Sequence, residues 1–269
     1  MQSSMKRLLL VAAIAAGSIG SAQATDLPVK APVYKAPAVA VPPSWTGWYA
    51  GINAGYGFSS VSNTFNLDPP TGLPIDTINA SNHLNGFIGG GQIGYNYQIT
   101  PNSWVAGIEA DLQYTNFKGS DSIGGTLPAQ FRPGGQFVYS QDQRVDWFAT
   151  VRGRFGWTPG DHTFLFYATG GLAVGGLKAS DSLTLFGGGP TAIWSGESSR
   201  TRAGWTVGGG VEARLAQNWT AKVEYLYYDL GHLTVTANSI PVTGIVGTTD
   251  FEFRGNIVRA GLNYRFTSR

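Results

Sequence analysis

From Trp45 to Phe266 the chain alternates. Over segments of about ten residues, large apolar side chains fall at every second position, with small or polar residues between them. A period of two is the mark of a β-strand whose two faces meet different surroundings. Eight such segments are legible. The first sets Trp48, Ala50, Ile52, Ala54, Tyr56 and Phe58 against Gly51, Asn53, Gly55 and Gly57. The second sets Phe87, Ile93, Tyr95 and Tyr97 against Gln92, Gly94, Asn96 and Gln98. The third sets Trp104, Ala106, Ile108, Ala110, Leu112 and Tyr114 against Glu109, Asp111 and Gln113. In the fourth, Val145, Trp147, Ala149, Val151, Phe155 and Trp157 oppose Arg144, Asp146, Thr150, Arg152 and Arg154. The fifth places Phe164, Phe166, Ala168, Leu172 and Val174 on one face. The sixth has Trp205, Val207, Val211, Ala213 and Leu215 against Thr206, Gly208, Glu212 and Arg214. The seventh has Trp219, Ala221, Val223, Tyr225 and Tyr227 against Thr220, Lys222, Glu224 and Tyr228. The eighth has Val258, Ala260, Leu262, Tyr264 and Phe266 against Ile257, Arg259, Gly261, Asn263 and Arg265.

A soluble β-sandwich also alternates. Three features favour a transmembrane barrel instead. Charges stand at mid-strand on the polar face. Six apolar-face tryptophans (Trp48, Trp104, Trp147, Trp157, Trp205 and Trp219) lie near strand ends, as in an aromatic girdle at two lipid–water interfaces. The connections alternate in length: Thr100–Ser103, Thr158–Asp161 and Ala216–Asn218 are short, whereas 59–85, 117–142, 176–202 and 231–254 are long and rich in Gly, Ser, Thr and Asn. The expected fold is therefore all-β: an eight-stranded antiparallel transmembrane barrel with short periplasmic turns and long extracellular loops. In hydrocarbon every backbone N–H and C=O needs a partner within the protein, so the eighth strand must close on the first.

The segment before the barrel changes the picture. Lys6 and Arg7, the apolar run Leu8 to Gly20 and the small-x-small site Ala22-Gln23-Ala24 read as a signal peptide over 1–24, with cleavage expected after Ala24. Residues 25–44 form a Pro-rich spacer, with Pro28, Pro32, Pro37, Pro42 and Pro43, which favours extended polyproline II and builds no core. A plain disordered leader is expected, with a periplasmic partner or the cell wall as the alternative. The barrel takes 45–269. The formal charge of +2 rests on Lys6 and Arg7, so the rest is formally neutral and has no overall attraction to nucleic acid. With no Cys, disulfides and thiolate sites are excluded. Only three His are present, and no cofactor or metal site is expected.

Few motifs carry chemistry. Gly89-x-Gly91-x-x-Gly94 spells a dinucleotide fingerprint, but Tyr95-Asn96-Tyr97-Gln98 continues a strand where that fingerprint needs a helix. Asn218-x-Thr220 has the form of a glycosylation acceptor yet opens a strand. His83 with a loop Ser or Asp, or His232 with Asp229, is the only material for a barrel enzyme. The inward charges are more informative. Pairing across the tight turn near Gln217 sets Glu212 opposite Lys222. Counting from the strand ends brings Glu224 close to Arg259 and Glu109 close to Arg152. Such groups line a pore or form a closed network. In a barrel of eight strands, whose interior is just wide enough for side chains, the closed network is expected.

Four blocks carry a family resemblance: Trp45-Thr46-Gly47-Trp48-Tyr49-Ala50-Gly51-Ile52-Asn53-Ala54-Gly55-Tyr56-Gly57, Gly91-Gln92-Ile93-Gly94-Tyr95-Asn96-Tyr97, Val223 to Gly231, and Val258 to Phe266. In this order they closely resemble the opacity-like outer-membrane immunogenic proteins of rhizobia and brucellae, also called the small porin family. The resemblance covers nearly everything after Trp45. It implies an eight-stranded barrel abundant in the cell outer membrane, supporting envelope integrity and bearing variable surface loops. Some relatives are described as porins and a few as haem binders, roles that fall on no residues here. Leu262, Tyr264 and Phe266 form the expected C-terminal signal for the barrel assembly machinery, although that family usually ends at the last aromatic and Thr267-Ser268-Arg269 follow here. The expected function is a structural, non-enzymatic outer-membrane barrel with its lumen plugged by ion pairs. Its expected partners are outer-membrane lipids and the assembly machinery, with the cell wall or a host surface open as further ones. A narrow passive porin is the alternative; an outer-membrane enzyme acting on lipid A comes third.

Overall fold

A computed structural model describes residues 44–266, apart from 74, 100–102 and 242–243. The expected signal peptide, most of the spacer and the final Thr267-Ser268-Arg269 lie outside the described residues. The chain forms ten strands: β1 (Gly47–Phe58), β2 (Val61–Asp68), β3 (Thr77–Asn82), β4 (Asn85–Ile99), β5 (Trp104–Thr126), β6 (Gln136–Trp157), β7 (Phe164–Phe186), β8 (Ala192–Arg214), β9 (Trp219–Ile240) and β10 (Val246–Phe266). β1 and β4 to β10 pair in chain order, all antiparallel, and β10 returns to β1 from Trp48↔Phe266 to Phe58↔Asn256. Eight strands thus close the barrel, as alternation predicts. The two others, β2 and β3, are a hairpin inside the first long connection, added to β10 through Val246↔Asp68 to Asp250↔Thr64. Closure is tight. A Cβ at Gly51 would meet the Asn263 side chain and the Leu262 carbonyl, so only glycine fits at this crossing.

We call the end with the chain entry and the short turns the lower end. Above it runs an outward apolar band in which Ile52, Phe87, Ile93, Ile108, Leu112, Val151, Leu172, Val207 and Val223 are exposed. Exposure of such side chains around a closed barrel is stable only in lipid. Ile108→Arg, on the outward face at mid-band, should therefore cost about 2–4 kcal/mol near the bilayer midplane. Urea titration of folding into lipid vesicles checks this, with the loop-tip substitution Thr126→Arg as a near-neutral control.

The long connections are themselves largely strand. β5, β7 and β8 each run 23 residues, β6 and β9 22, and β10 21. A tilted strand crosses the hydrocarbon in about 9–11 residues, so each continues well above the band. There the polarity inverts: the outward face turns polar and the interior becomes apolar. One buried cluster includes Ile88, Phe117, Phe148, Leu177, Leu226, Leu233, Phe251, Phe253 and Ile257. A second, higher one joins Phe65, Leu67, Ile75, Ile78 and Ala80 of the hairpin segment to Tyr139, Leu183, Leu185, Trp194 and Ala237.

Val145 corrects the sequence reading. Alternation places it outward with Trp147, but it is buried in the interior cluster. The β5–β6 register shifts between Tyr114/Phe117 and Val145/Trp147, a bulge that moves the β6 side chains above it to the opposite face. On β9 the same change of phase comes at Gly231, at φ +75°. Below it Tyr228 and Leu230 point in; above it Leu233 and Val235 do.

Asp181 stands buried in the upper, extramembrane interior. The Thr249 hydroxyl donates to its Oδ2, and its Oδ1 has no partner. Burial pushes its carboxyl up to about 6, against the lowering effect of the Thr249 hydrogen bond. An acid whose pKa is raised on folding stabilises the fold fully below its unfolded value and loses that contribution as pH rises through the folded one. The protein should therefore lose stability between about pH 4 and 6. Asp181→Asn should remove this slope and raise stability at pH 8 but not at pH 4. Thermal denaturation in detergent at the two pH values reads both; an unchanged slope would contradict the assignment.

Candidate functional site: the charged lumen

The barrel interior behind the apolar band is filled by charge. β5 contributes Glu109 and Asp111, β6 Arg152 and Arg154, β8 Glu212, β9 Lys222 and Glu224, and β10 Arg259. All eight side chains are buried. Strict alternation aims them inward, and the ladder sets Glu109↔Arg152, Glu212↔Lys222 and Arg259↔Glu224 as direct neighbours. Arg152 lies at the centre. Its Nη2 reaches Glu109 at 2.5 Å and Asp111 at 2.9 Å, its Nη1 reaches Glu224 at 3.0 Å, and its Nε donates to Thr150. Arg259 binds Glu224 at 2.6 Å and Asp111 at 2.9 Å. Lys222 donates to both oxygens of Glu109 at 2.8 Å. Arg154 reaches Glu212 at 2.7 Å, donates to the Tyr49 hydroxyl at 2.6 Å, and lies 4.0 Å above the Tyr167 ring.

Four carboxylates thus face four cations, and their formal charges cancel. That balance matters, because an isolated buried charge is costly and only a paired, hydrogen-bonded one is tolerated. Of the pairs anticipated from sequence, Glu109 meets Arg152 and Glu224 meets Arg259. Glu212 and Lys222 are ladder partners whose side chains part: Glu212 turns to Arg154, Thr220 and Asn263, and Lys222 to Glu109. Asp111 and Arg154 read as inward from sequence but were matched to no partner. Tyr49 and Tyr167 were not singled out. Tyr49 shares its parity with inward Gly51, which was signal enough; Tyr167 gave none beyond its place on the weakest segment.

The charged layer is covered at both ends. Above it lie Phe148, Leu226 and Ile257 of the apolar cluster. Below it lies Trp45, fully buried. Its backbone N–H donates to Gln98 at 2.7 Å, its indole N–H donates to the His162 carbonyl at 3.0 Å, and the Arg214 and Arg265 guanidinium carbons stand 4.3 Å and 5.3 Å from its ring.

The other anticipated residues sit as follows. Trp48, Trp104, Trp157 and Trp219 are exposed near the lower rim, and Trp205 near the upper edge of the band. Trp48 packs on Tyr95, Trp104 stacks on Phe155, and Trp219 meets Tyr264. Trp147 is half-buried, its indole lying where a Cβ on Gly176 would stand. Leu262, Tyr264 and Phe266 are exposed on the closing strand opposite Ile52, Ala50 and Trp48. The Gly89–Gly94 run lies inside β4, with no helix after it. His232 is the ladder partner of Glu252, while Asp229 accepts the Gly231 N–H, so the two do not form a dyad. At the lower turn the Thr163 hydroxyl and N–H hold the Asp161 carboxyl below its ordinary range.

Comparison with known proteins agrees with this architecture. The chain is 37% identical over 269 residues to the 31 kDa outer-membrane immunogenic protein of Brucella melitensis, a match covering 97% of this chain and 100% of the relative. It is 32% identical over 188 residues to a 22 kDa outer membrane protein of Rhizobium leguminosarum, covering 69% of this chain and 64% of that one. The crystal structure of the outer membrane protein OprG from Pseudomonas aeruginosa aligns with a TM-score of 0.47 at 13% identity, over 85% of this chain and 100% of that one. The family model for the outer membrane protein beta-barrel domain matches residues 10–266, and the chain belongs to that family of outer-membrane proteins.

Proposed function

We propose that this protein is a structural, non-enzymatic component of the outer membrane whose lumen is closed to solutes. It supports the envelope by its own stability and presents its upper strands to the surroundings. The observation that carries this reading is the charge-balanced network of Glu109, Asp111, Glu212 and Glu224 with Arg152, Arg154, Lys222 and Arg259, every member of it buried. Arginine side chains that span between strands and meet two or three carboxylates leave no file of water for a solute to follow. Apolar residues above the network and Trp45 below it add two further barriers. In this reading the lower end faces the periplasm, and Leu262, Tyr264 and Phe266 are what the assembly machinery engages.

The test is planar-bilayer recording of the purified, refolded protein. No steady open-channel current is expected under symmetrical salt. A stable conductance would overturn the closed reading and favour a narrow porin.

A further inference from the structure

Above the apolar band β8 and β9 part. Their ladder is interrupted between Ser195↔Asn238 and Trp205↔Asp229, which leaves 196–204 of β8 and 230–237 of β9 without ladder partners across the seam. Each strand is held there on its other side only. β8 pairs with β7 unbroken from Phe164↔Ala213 to Leu185↔Ala192, and β9 pairs with β10 from Gly247↔Ala237 to Glu252↔His232. The interior is closed at this height by β9 packing on β7: Leu230, Leu233 and Val235 share one buried cluster with Ala173, Leu177 and Ala179. A Cβ on Gly175 of β7 would stand 2.9 Å from the Leu230 side chain. Among the described residues none of 195–205 belongs to either buried cluster. Arg200 and Arg202 are the ladder partners of Leu177 and Gly175 and share their inward face. Leu177 is fully buried, yet both arginines are exposed, and so is every residue from 199 to 203. β8 therefore passes the seam with its inner face uncovered.

Within hydrocarbon such a seam would strand its backbone groups. Above the band water solvates them, and an extended polypeptide can replace that water by adding as a strand. The edge also carries a charge pattern. Arg200 and Arg202 stand two residues apart on one face and make no ion pair among the described residues, whereas Lys178 on β7 pairs with Asp146 at 2.7 Å. The acids of β9 and β10 at this height are engaged: Asp250 accepts from Thr234 at 2.6 Å, Glu252 pairs with Arg254 at 2.8 Å, and Asp229 accepts the Gly231 N–H. Glu197 of β8 alternates to the opposite face. A strand added to this edge sets alternate side chains directly opposite those of β8, where opposite charges attract and like charges repel. Two carboxylates two residues apart match the two guanidinium groups. A second copy of this chain does not, because edge-to-edge pairing about Thr201 would set Arg200 of each copy against Arg202 of the other.

We propose that the free edge of β8 over 196–204 docks an extended acidic segment of a partner protein, which adds as a short strand and sets carboxylates at alternate positions against Arg200 and Arg202. The site is independent of whether the lumen conducts. It is tested with full-length refolded protein in phosphatidylcholine nanodiscs, by fluorescence anisotropy of a labelled acetyl-Val-Glu-Thr-Glu-Val-Thr peptide. The wild type should bind this peptide saturably and should not bind its counterpart with Lys in place of Glu. R200Q/R202Q should bind it about tenfold more weakly. N-methylation of alternate peptide amides separates strand addition from plain charge attraction, since only one of the two alternate sets points at the edge. One methylated peptide should lose binding and the other keep it. Equal binding of the two would overturn strand addition. No binding of the acidic peptide by the wild type, equal binding of the Lys peptide, or unchanged affinity in R200Q/R202Q would overturn the site. Should the double variant fail to fold, as read by heat-dependent gel mobility, the comparison of peptides on the wild-type protein decides.

Discussion

Glu224→Ala should destabilise the folded barrel by roughly 3–5 kcal/mol. Glu224 accepts from Arg152 at 3.0 Å, from Arg259 at 2.8 Å and from the Tyr167 hydroxyl at 3.0 Å. Its removal leaves two guanidinium groups sharing Asp111 and Glu109, with a net positive charge among side chains that are all buried. The loss is thus mainly the stranded charge, not the lost attraction. Glu224→Ala combined with Arg259→Ala restores neutrality. Arg152 then keeps Glu109 and Asp111, and Lys222 keeps Glu109. The double variant should therefore be more stable than the sum of the two single losses predicts, and more stable than Glu224→Ala alone. Urea-induced unfolding in vesicles measures all three. Additive losses would mean that the charges are screened by water, which a hydrated pore would provide.

Phe65→Ala should cost about 3–5 kcal/mol in the packing of the upper interior. Phe65 is fully buried, with its ring 5.1 Å from that of Tyr139. It also occupies the space above Gly247 where a side chain on β10 would otherwise stand. It is the deepest apolar side chain of β2, and the hairpin is held by this face, by its short ladder with β10 and by hydrogen bonds of Asn63 with Gln141 and Gln143 and of Asn82 with Gln143. The apolar band needs none of these contacts. The loss should be local: chymotrypsin should cut faster at Leu67, while the barrel keeps its heat-dependent gel shift. Phe65→Leu should recover most of the protection. Unchanged cleavage in Phe65→Ala would place the hairpin's stability elsewhere.

The lower half of the barrel was legible because two solvents demand opposite faces. Lipid selects Ile, Leu, Val and aromatics outward, and the narrow lumen selects glycine, amides and charges inward, so alternation alone locates Glu109, Arg152, Glu224 and Arg259. It does not say which neighbours join. Ladder register places Glu212 beside Lys222, yet long side chains reach past their direct partners, and Arg154 and Glu109 take them instead. The upper half was harder to see. Above the band the interior is apolar and the exterior watery, so segments such as Lys118 to Thr126 alternate in the opposite sense and carry Gly and Ser that read as loop. Val145 fell on the wrong face because a bulge spends one residue without a partner, which no count by twos detects. Trp45 was read as the start of the barrel. Its buried place depends on Gln98, His162, Arg214 and Arg265, which come together only on closure.

The reversal of polarity along β5 to β10 gives each strand its own waterline. Were the barrel to ride higher, the lower tryptophans would enter the hydrocarbon and upper apolar side chains of the band would meet water. Were it to sink, Lys118, Arg144 and Lys178 would be dragged into the acyl chains. Both displacements raise the energy at all strands together, so the protein has one depth of flotation, and that depth is fixed before any lipid or neighbour is chosen.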